Sequence, residues 1–188
     1  MWGWLATRPD RCRKYDQSDR ERGGQERKPG SVHKGEEGRG PDGGVPEILA
    51  TNRKVVEAFN RGGLEEAREY FHPDVELYDP DLPPGLELRG RDALLKSIGE
   101  MVDAFDTMRV RSIEMYPVGD RIVSLVRTEA RGEGTRGEMQ VEMHDAHVTT
   151  FRDGKVVYWR IYHDPREAFA DVGLDPDAPG EPYRIDSV

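Results

Sequence analysis

Two strand-like runs flanking Arg152-Asp153-Gly154-Lys155 constrain this chain more than any other segment. The stretch DAHVTTFRDGKVVYWRIYHD, Asp145 to Asp164, is rich in β-branched and aromatic residues on both sides of an Asp-Gly pair. That is the composition of a tight β-hairpin. Side chains alternate along a strand, so Asp145, His147, Thr149 and Phe151 share one face. A carboxylate and an imidazole on the phenylalanine side of a strand are candidates for the lining of a pocket.

Upstream of the hairpin the periodicity changes. From Glu47 to Asn60, Ile48, Val55, Val56 and Phe59 share a helical face, with Pro46 in the first turn and Gly62-Gly63 as a stop. Leu64 to Phe71 reads as a second short helix, and Val75 to Asp79 as a short strand closed by Pro80. A third helix runs from Arg91 to Phe105 with the stripe Leu94, Leu95, Ile98, Met101, Val102 and Phe105. Four strand-like runs follow, Thr107–Pro117, Arg121–Arg131, Glu138–Phe151 and Lys155–His163, joined by short turns that favour antiparallel pairing. Helices first and a meander after them predict an α+β fold with the helices on one face of the sheet.

Three segments emerge. Residues 1–45 hold many glycines, mixed charges and almost no aliphatics, which predicts a disordered low-complexity tail. Residues 46–174 form the folded domain, and 175–188 read as a C-terminal tail. The charge is divided the same way: +2 over residues 1–46 and −11 over 47–188, within a net −9. So acidic a domain repels phosphate backbones, which argues against nucleic-acid binding. No apolar run reaches the roughly 20 residues of a membrane span. The uncharged run before Arg8 is too short for the apolar core of a secretory leader, and the single cysteine, Cys12, suits a reducing, cytoplasmic compartment.

Metal and nucleotide chemistry find no motif. The five histidines, His33, His72, His144, His147 and His163, include no H-x-x-x-H pair. His144 and His147 fall on opposite faces of their strand, and there is no cysteine cluster. Gly132-Glu133-Gly134 lies in a turn between strands and precedes no helix. The expectation is a site without metal or cofactor.

The order of elements, with the phrases AFNRGGLEEAREYFHPDVELYDP, ELRGRDAL and AHVTTFRDGKVVYWRIYHDPREAFADVGL, resembles the SnoaL-like branch of the nuclear transport factor 2-like superfamily over about residues 46–174. The resemblance implies a cone-shaped α+β roll, a curved sheet wrapped against helices around a cavity, and a homodimer formed through the outer sheet face. Its relatives range from polyketide cyclases, ketosteroid isomerase and limonene epoxide hydrolase to non-catalytic association domains, so fold alone does not decide function.

Residue by residue, the resemblance implies a site. Asp79-Pro80 matches the strand-ending catalytic aspartate of ketosteroid isomerase. Beside Leu77, Leu82 and Leu86 such a carboxyl would be desolvated and its pKa raised. His147 takes the place of a pocket acid on the penultimate strand, where it can donate to an enolate or move protons. Asp145 would orient its ring. Trp159, Ile161 and His163 would face the cavity and Tyr158, Arg160 and Tyr162 the outer face; Met139, Val141 and Met143 would continue the inner wall. Arg127 and Glu129 keep an Arg-x-acid pair beside the ligand. The isomerase's oxyanion tyrosine corresponds to Val55, and the remaining epoxide hydrolase positions to Leu77, Asp79 and Ile161, which argues against both activities in their strict form.

Two readings follow. In the first, a cofactor-free cyclase or isomerase acts on an apolar enolisable carbonyl compound with Asp79, His147 and Asp145, while Arg127, Glu129, Trp159, Met143, Leu77 and His163 line the site. In the second, the domain binds a small molecule or a partner without catalysis.

Overall fold

The Asp-Gly hairpin closes through two consecutive residues of positive φ, Asp153 at 52° and Gly154 at 70°. This is the left-handed pair whose twist matches the flanking strands. A computed structural model describes residues 45–62, 64–82, 88–134 and 137–186; the expectation of a disordered tail over residues 1–45 thus falls almost wholly outside them. The elements are α1 (Val45–Asn60), α2 (Leu64–Ala67), β1 (Phe71–Tyr78), β2 (Leu88–Arg89), α3 (Arg91–Val102), β3 (Thr107–Val118), β4 (Arg121–Gly134), β5 (Gly137–Arg152), β6 (Lys155–Tyr162), α4 (Pro165–Asp171) and β7 (Tyr183–Asp186).

The sheet has seven strands in the order β2-β1-β6-β5-β4-β3-β7. Among the described residues β1 and β6 pair in parallel and the other neighbours are antiparallel. Irregularities in register interrupt β1, β3 and the β5–β6 pair, each a place where a sheet bends. The concave side holds the main core. There Ile48 and Val56 of α1 and Leu94, Leu95 and Ile98 of α3 bury against Leu77, Ile113, Ile122, Val126 and Val156. The result is a curved, unclosed sheet with helices in its concavity, an α+β roll.

Several boundaries differ from the sequence reading. The second helix stops at Ala67, a 3-10 turn covers Arg68–Tyr70, and Phe71 already begins β1. Buried Phe71 takes Val156 as its register partner, and pairing with a neighbouring strand outweighs its place on a helical stripe. Helix α3 ends at Val102, three residues short of Phe105.

Two differences matter more. The helices do not all lie on one face: α4, capped by Asp164 accepting from the Arg166 N–H with Pro165 in its first turn, covers the convex side. Its Ala168 and Phe169 bury with Tyr116, Val123, Ala146, Val148 and Tyr162. And 175–188 is more than a tail, because β7 pairs with β3 from Ser112 to Met115. Among the described residues no helix is long and apolar enough to cross a membrane.

Candidate functional site

The site residues are placed by one row of side chains running across the concave face. Met115 of β3, Ser124 of β4, His147 of β5 and Ile161 of β6 are successive register partners. Asp79 follows Tyr78, whose partner is Arg160, and so comes level with Ile161 at the end of β1. From above, Asn52 of α1 donates through Nδ2 to Ser124 Oγ at 3.4 Å and approaches Met115 Sδ at 3.2 Å. Asn52 and Ser124 are both buried. Neither stands out in the sequence, although an asparagine between apolar positions on a helix face is a signal for Asn52.

His147 packs against Trp159, ring centroids 5.3 Å apart and tilted by 60°. Protein crowds the imidazole, and burial pushes its pKa down to about 4 against a weaker opposing pull from Asp145. The ring is therefore neutral at pH 7, with one nitrogen donating and one accepting. Trp159 also stacks on Phe71 at 6.3 Å, and its indole Nε1 is buried without a hydrogen-bond partner among the described residues. A buried donor of this kind calls for a partner.

Asp79 is partly buried at the strand end, and desolvation raises its pKa. Asp81 and Asp145 push the same way, while the hydrogen bond from the Asp81 N–H to Asp79 Oδ1, at 2.8 Å, and the charge of His163 oppose. His163 bridges two carboxylates, with Nδ1 3.2 Å from Asp145 Oδ1 and Nε2 3.4 Å from Asp81 Oδ1. Asp145 therefore does not steady the His147 ring as expected; its carboxylate lies against His163, and it reaches His147 only through its field. Among the described residues no three His, Cys, Asp or Glu side chains converge to hold a metal ion.

The structure thus brings Asp79, Asp145, His147, Trp159 and His163 into one neighbourhood, with Leu77 buried beside them as the register partner of Trp159. Met143 shares the His147 side of β5, two positions beyond Asp145, and is partly buried. Met139, on the same side, is 39% exposed and walls nothing. Arg127 and Glu129 lie elsewhere. Ser124 and Val126 point into the concave core, so alternation sends Arg127 and Glu129 to the convex face, with Arg127 opposite His144. Among the described residues, open grooves mark that face and its margin. One, of about 280 Å³, runs along Tyr78, Pro80, Arg160, Tyr162, His163 and Glu167; the other, of about 190 Å³, lies along Thr107, Arg109, Arg111, Glu129 and Arg131. Neither contains Asp79 or His147.

The concave side of the sheet thus carries helices, a carboxylate at one strand end and an imidazole in its middle. Residues 52–159 match the SnoaL-like domain family, and the chain belongs to it. Among solved structures it is similar to an NTF2-like protein of unknown function from Burkholderia pseudomallei, at 24% identity and a TM-score of 0.54 over 68% of this chain and 98% of that one. It is also similar to TerC, co-crystallised with polyporic acid, at 22% identity and a TM-score of 0.54 over 67% and 97%. A candidate SnoaL-like polyketide cyclase from a Jannaschia species aligns at 16% identity and a TM-score of 0.56, over 72% and 97%. These likenesses establish the fold. A search among curated proteins finds no significant match.

Proposed function

We propose that the chain is a cofactor-free acid–base enzyme for an apolar, enolisable carbonyl compound. One observation carries the reading: Asp79, level with Ile161 at the end of β1, and His147, the register partner of Ile161, share one face of the sheet, where burial disfavours the charged form of each. Asp79 takes a proton from the carbon beside the carbonyl, its raised pKa making it a better base than a solvated carboxylate. The oxygen that gains negative charge is met by the N–H of His147 and the orphan indole N–H of Trp159, donors worth more in a dry site than in water. Asp79 then returns the proton, to the same carbon or another. That sequence serves double-bond isomerisation and the opening step of an aldol cyclisation alike.

The test is solvent deuterium uptake into a panel of apolar ketones, followed by mass spectrometry. Asp79→Asn should cut the exchange rate about 10²-fold or more, and equal rates in variant and wild type would sink the mechanism. A second reading, binding without turnover, is favoured by Asp79 Oδ1 being occupied by the Asp81 N–H in a local turn. It predicts saturable ketone binding and no deuterium uptake in either protein. We also propose a homodimer through the convex face. Tyr162 is not available to it as first expected, being only 6% exposed beneath the α4 cluster. The participants are exposed Tyr78 and partly buried Arg160, whose guanidinium stacks on both Tyr78 and Tyr162 at 4.7 Å.

A further inference from the structure

We propose that the convex face carries, on β3 and β4 and apart from the Tyr78–Arg160 contact on β1 and β6, a second binding site, a groove for a small phosphate-bearing anion gripped by Arg109, Arg111 and Arg131. It lies on the opposite side of the sheet from Asp79 and His147 and is independent of the reaction proposed there. The groove, about 190 Å³, is lined by Thr107, Arg109, Arg111, Glu129 and Arg131. Strand pairing builds it: Thr107 lies opposite Arg131, and Arg109 opposite Glu129. Arg111 is the extra residue in the register shift between Val110 and Ser112, and a bulge of this kind re-aims its side chain.

The local charges favour an anion. Glu129 lies 2.9 Å from Arg111 and 3.7 Å from Arg127, so one carboxylate serves two guanidinium groups. Among the described residues Arg109 and Arg131 have no carboxylate within ion-pair distance. Glu142, the register partner of Glu129 on β5, is engaged by His144 Nε2 at 2.6 Å. Glu133 and Glu138 face each other farther along the same strands and do not line the groove. Like charges gathered on one sheet face repel. In a domain with eleven surplus negative charges over residues 47–188 the gathering is the more conspicuous.

The fork of an arginine matches two phosphate oxygens at once, and three forks around a hydroxyl suit a dianion better than a monoanion. The volume admits a phosphate group and a few attached atoms. The acidity of the rest of the domain opposes an extended anionic surface or polymer while leaving a local pocket of positive potential. The occupant is therefore a small soluble phosphomonoester.

Isothermal titration of the full chain with inorganic phosphate and with phenyl phosphate, chloride adjusted to constant ionic strength, tests this. One phosphate per chain is expected. Arg109→Gln and Arg131→Gln should each weaken binding at least tenfold, while Arg53→Gln, on the exposed side of α1, should not change it. Shifts of the Arg111 Nε–H resonance on phosphate addition to the wild type would report the same site without relying on a variant that folds. Heats no different from those of added chloride, or affinities unchanged in both groove variants, would overturn the proposal. So would flotation with phosphatidic acid vesicles in the absence of binding to either soluble phosphate, because the source would then be a lipid headgroup.

Discussion

His147 is a basic residue that the fold holds uncharged, and this has a consequence for stability. Its folded pKa, about 4, lies below the ordinary 6.5. Between those values an unfolded chain binds a proton that the native chain refuses, so the native state loses stability as pH falls from 6.5 toward 4 and loses no more from this group below that. A gap of that size corresponds to a penalty on the order of 3 kcal/mol at the acid end. Asp79 works against it, because a carboxyl whose folded pKa is raised gains relative stability as pH falls through that pKa. The clean measurement is therefore a difference. Urea unfolding of wild type and His147→Gln from pH 7.5 to 4 should show the variant's stability falling less steeply, and parallel curves would mean that the imidazole protonates freely in the native state.

At the scale of elements, a joint forms where α1 ends on β3. Asn60 donates through Nδ2 to the Val110 carbonyl at 2.9 Å and accepts from the Val110 N–H at 2.8 Å, beside the bulge. This pairing supplies the backbone of Val110 where the ladder to β4 is disturbed. Asn60→Ala should cost about 2–3 kcal/mol in urea unfolding, since it leaves a backbone donor and acceptor unmatched, whereas a loss under about 0.5 kcal/mol would mean that water replaces the amide. Elements of this sort divide what could be read in advance from what could not. The Asp-Gly hairpin, the stripe of α1 and the alternation placing Asp145 and His147 together are local patterns, and they were legible. The cap of α4 was present in Asp164-Pro165 and could have been read. Nothing local says that Phe169 will cover the convex face, that residues as polar as Tyr183–Asp186 will find the edge of β3, or that Asp145 will choose His163 over His147. Those are decided by partners distant in sequence. The misplacement of Arg127 and Glu129 has the same origin: correspondence with another enzyme's residues says nothing of strand phase, which Ser124 and Val126 settle by their packing.

For the whole molecule, the question is how a curved, unclosed sheet avoids joining other sheets along its edges. Among the described residues both edges are short strands, the two-residue β2 and the four-residue β7. A short edge strand offers few free backbone groups for another chain to pair with. Beneath β7 lies β3, twelve residues long, and Ile185 packs against the main core while Arg184 reaches Glu114 at 3.1 Å. Deleting residues 181–188 would uncover the Ser112–Met115 part of that edge and part of the core together. Association through the convex face is a different contact, and the two separate experimentally. In sedimentation velocity the wild type should run as the proposed dimer, and Arg160→Glu, which removes the guanidinium stacked between Tyr78 and Tyr162, should run as a monomer with its fold intact by circular dichroism. The 181–188 deletion should instead form species larger than a dimer, increasing with concentration and time, as light scattering would show. A deletion that stays dimeric and monodisperse would mean that β7 is dispensable as an edge guard; a wild type that sediments as a monomer would remove the convex face as an interface and leave Tyr78 and Arg160 as ordinary surface residues.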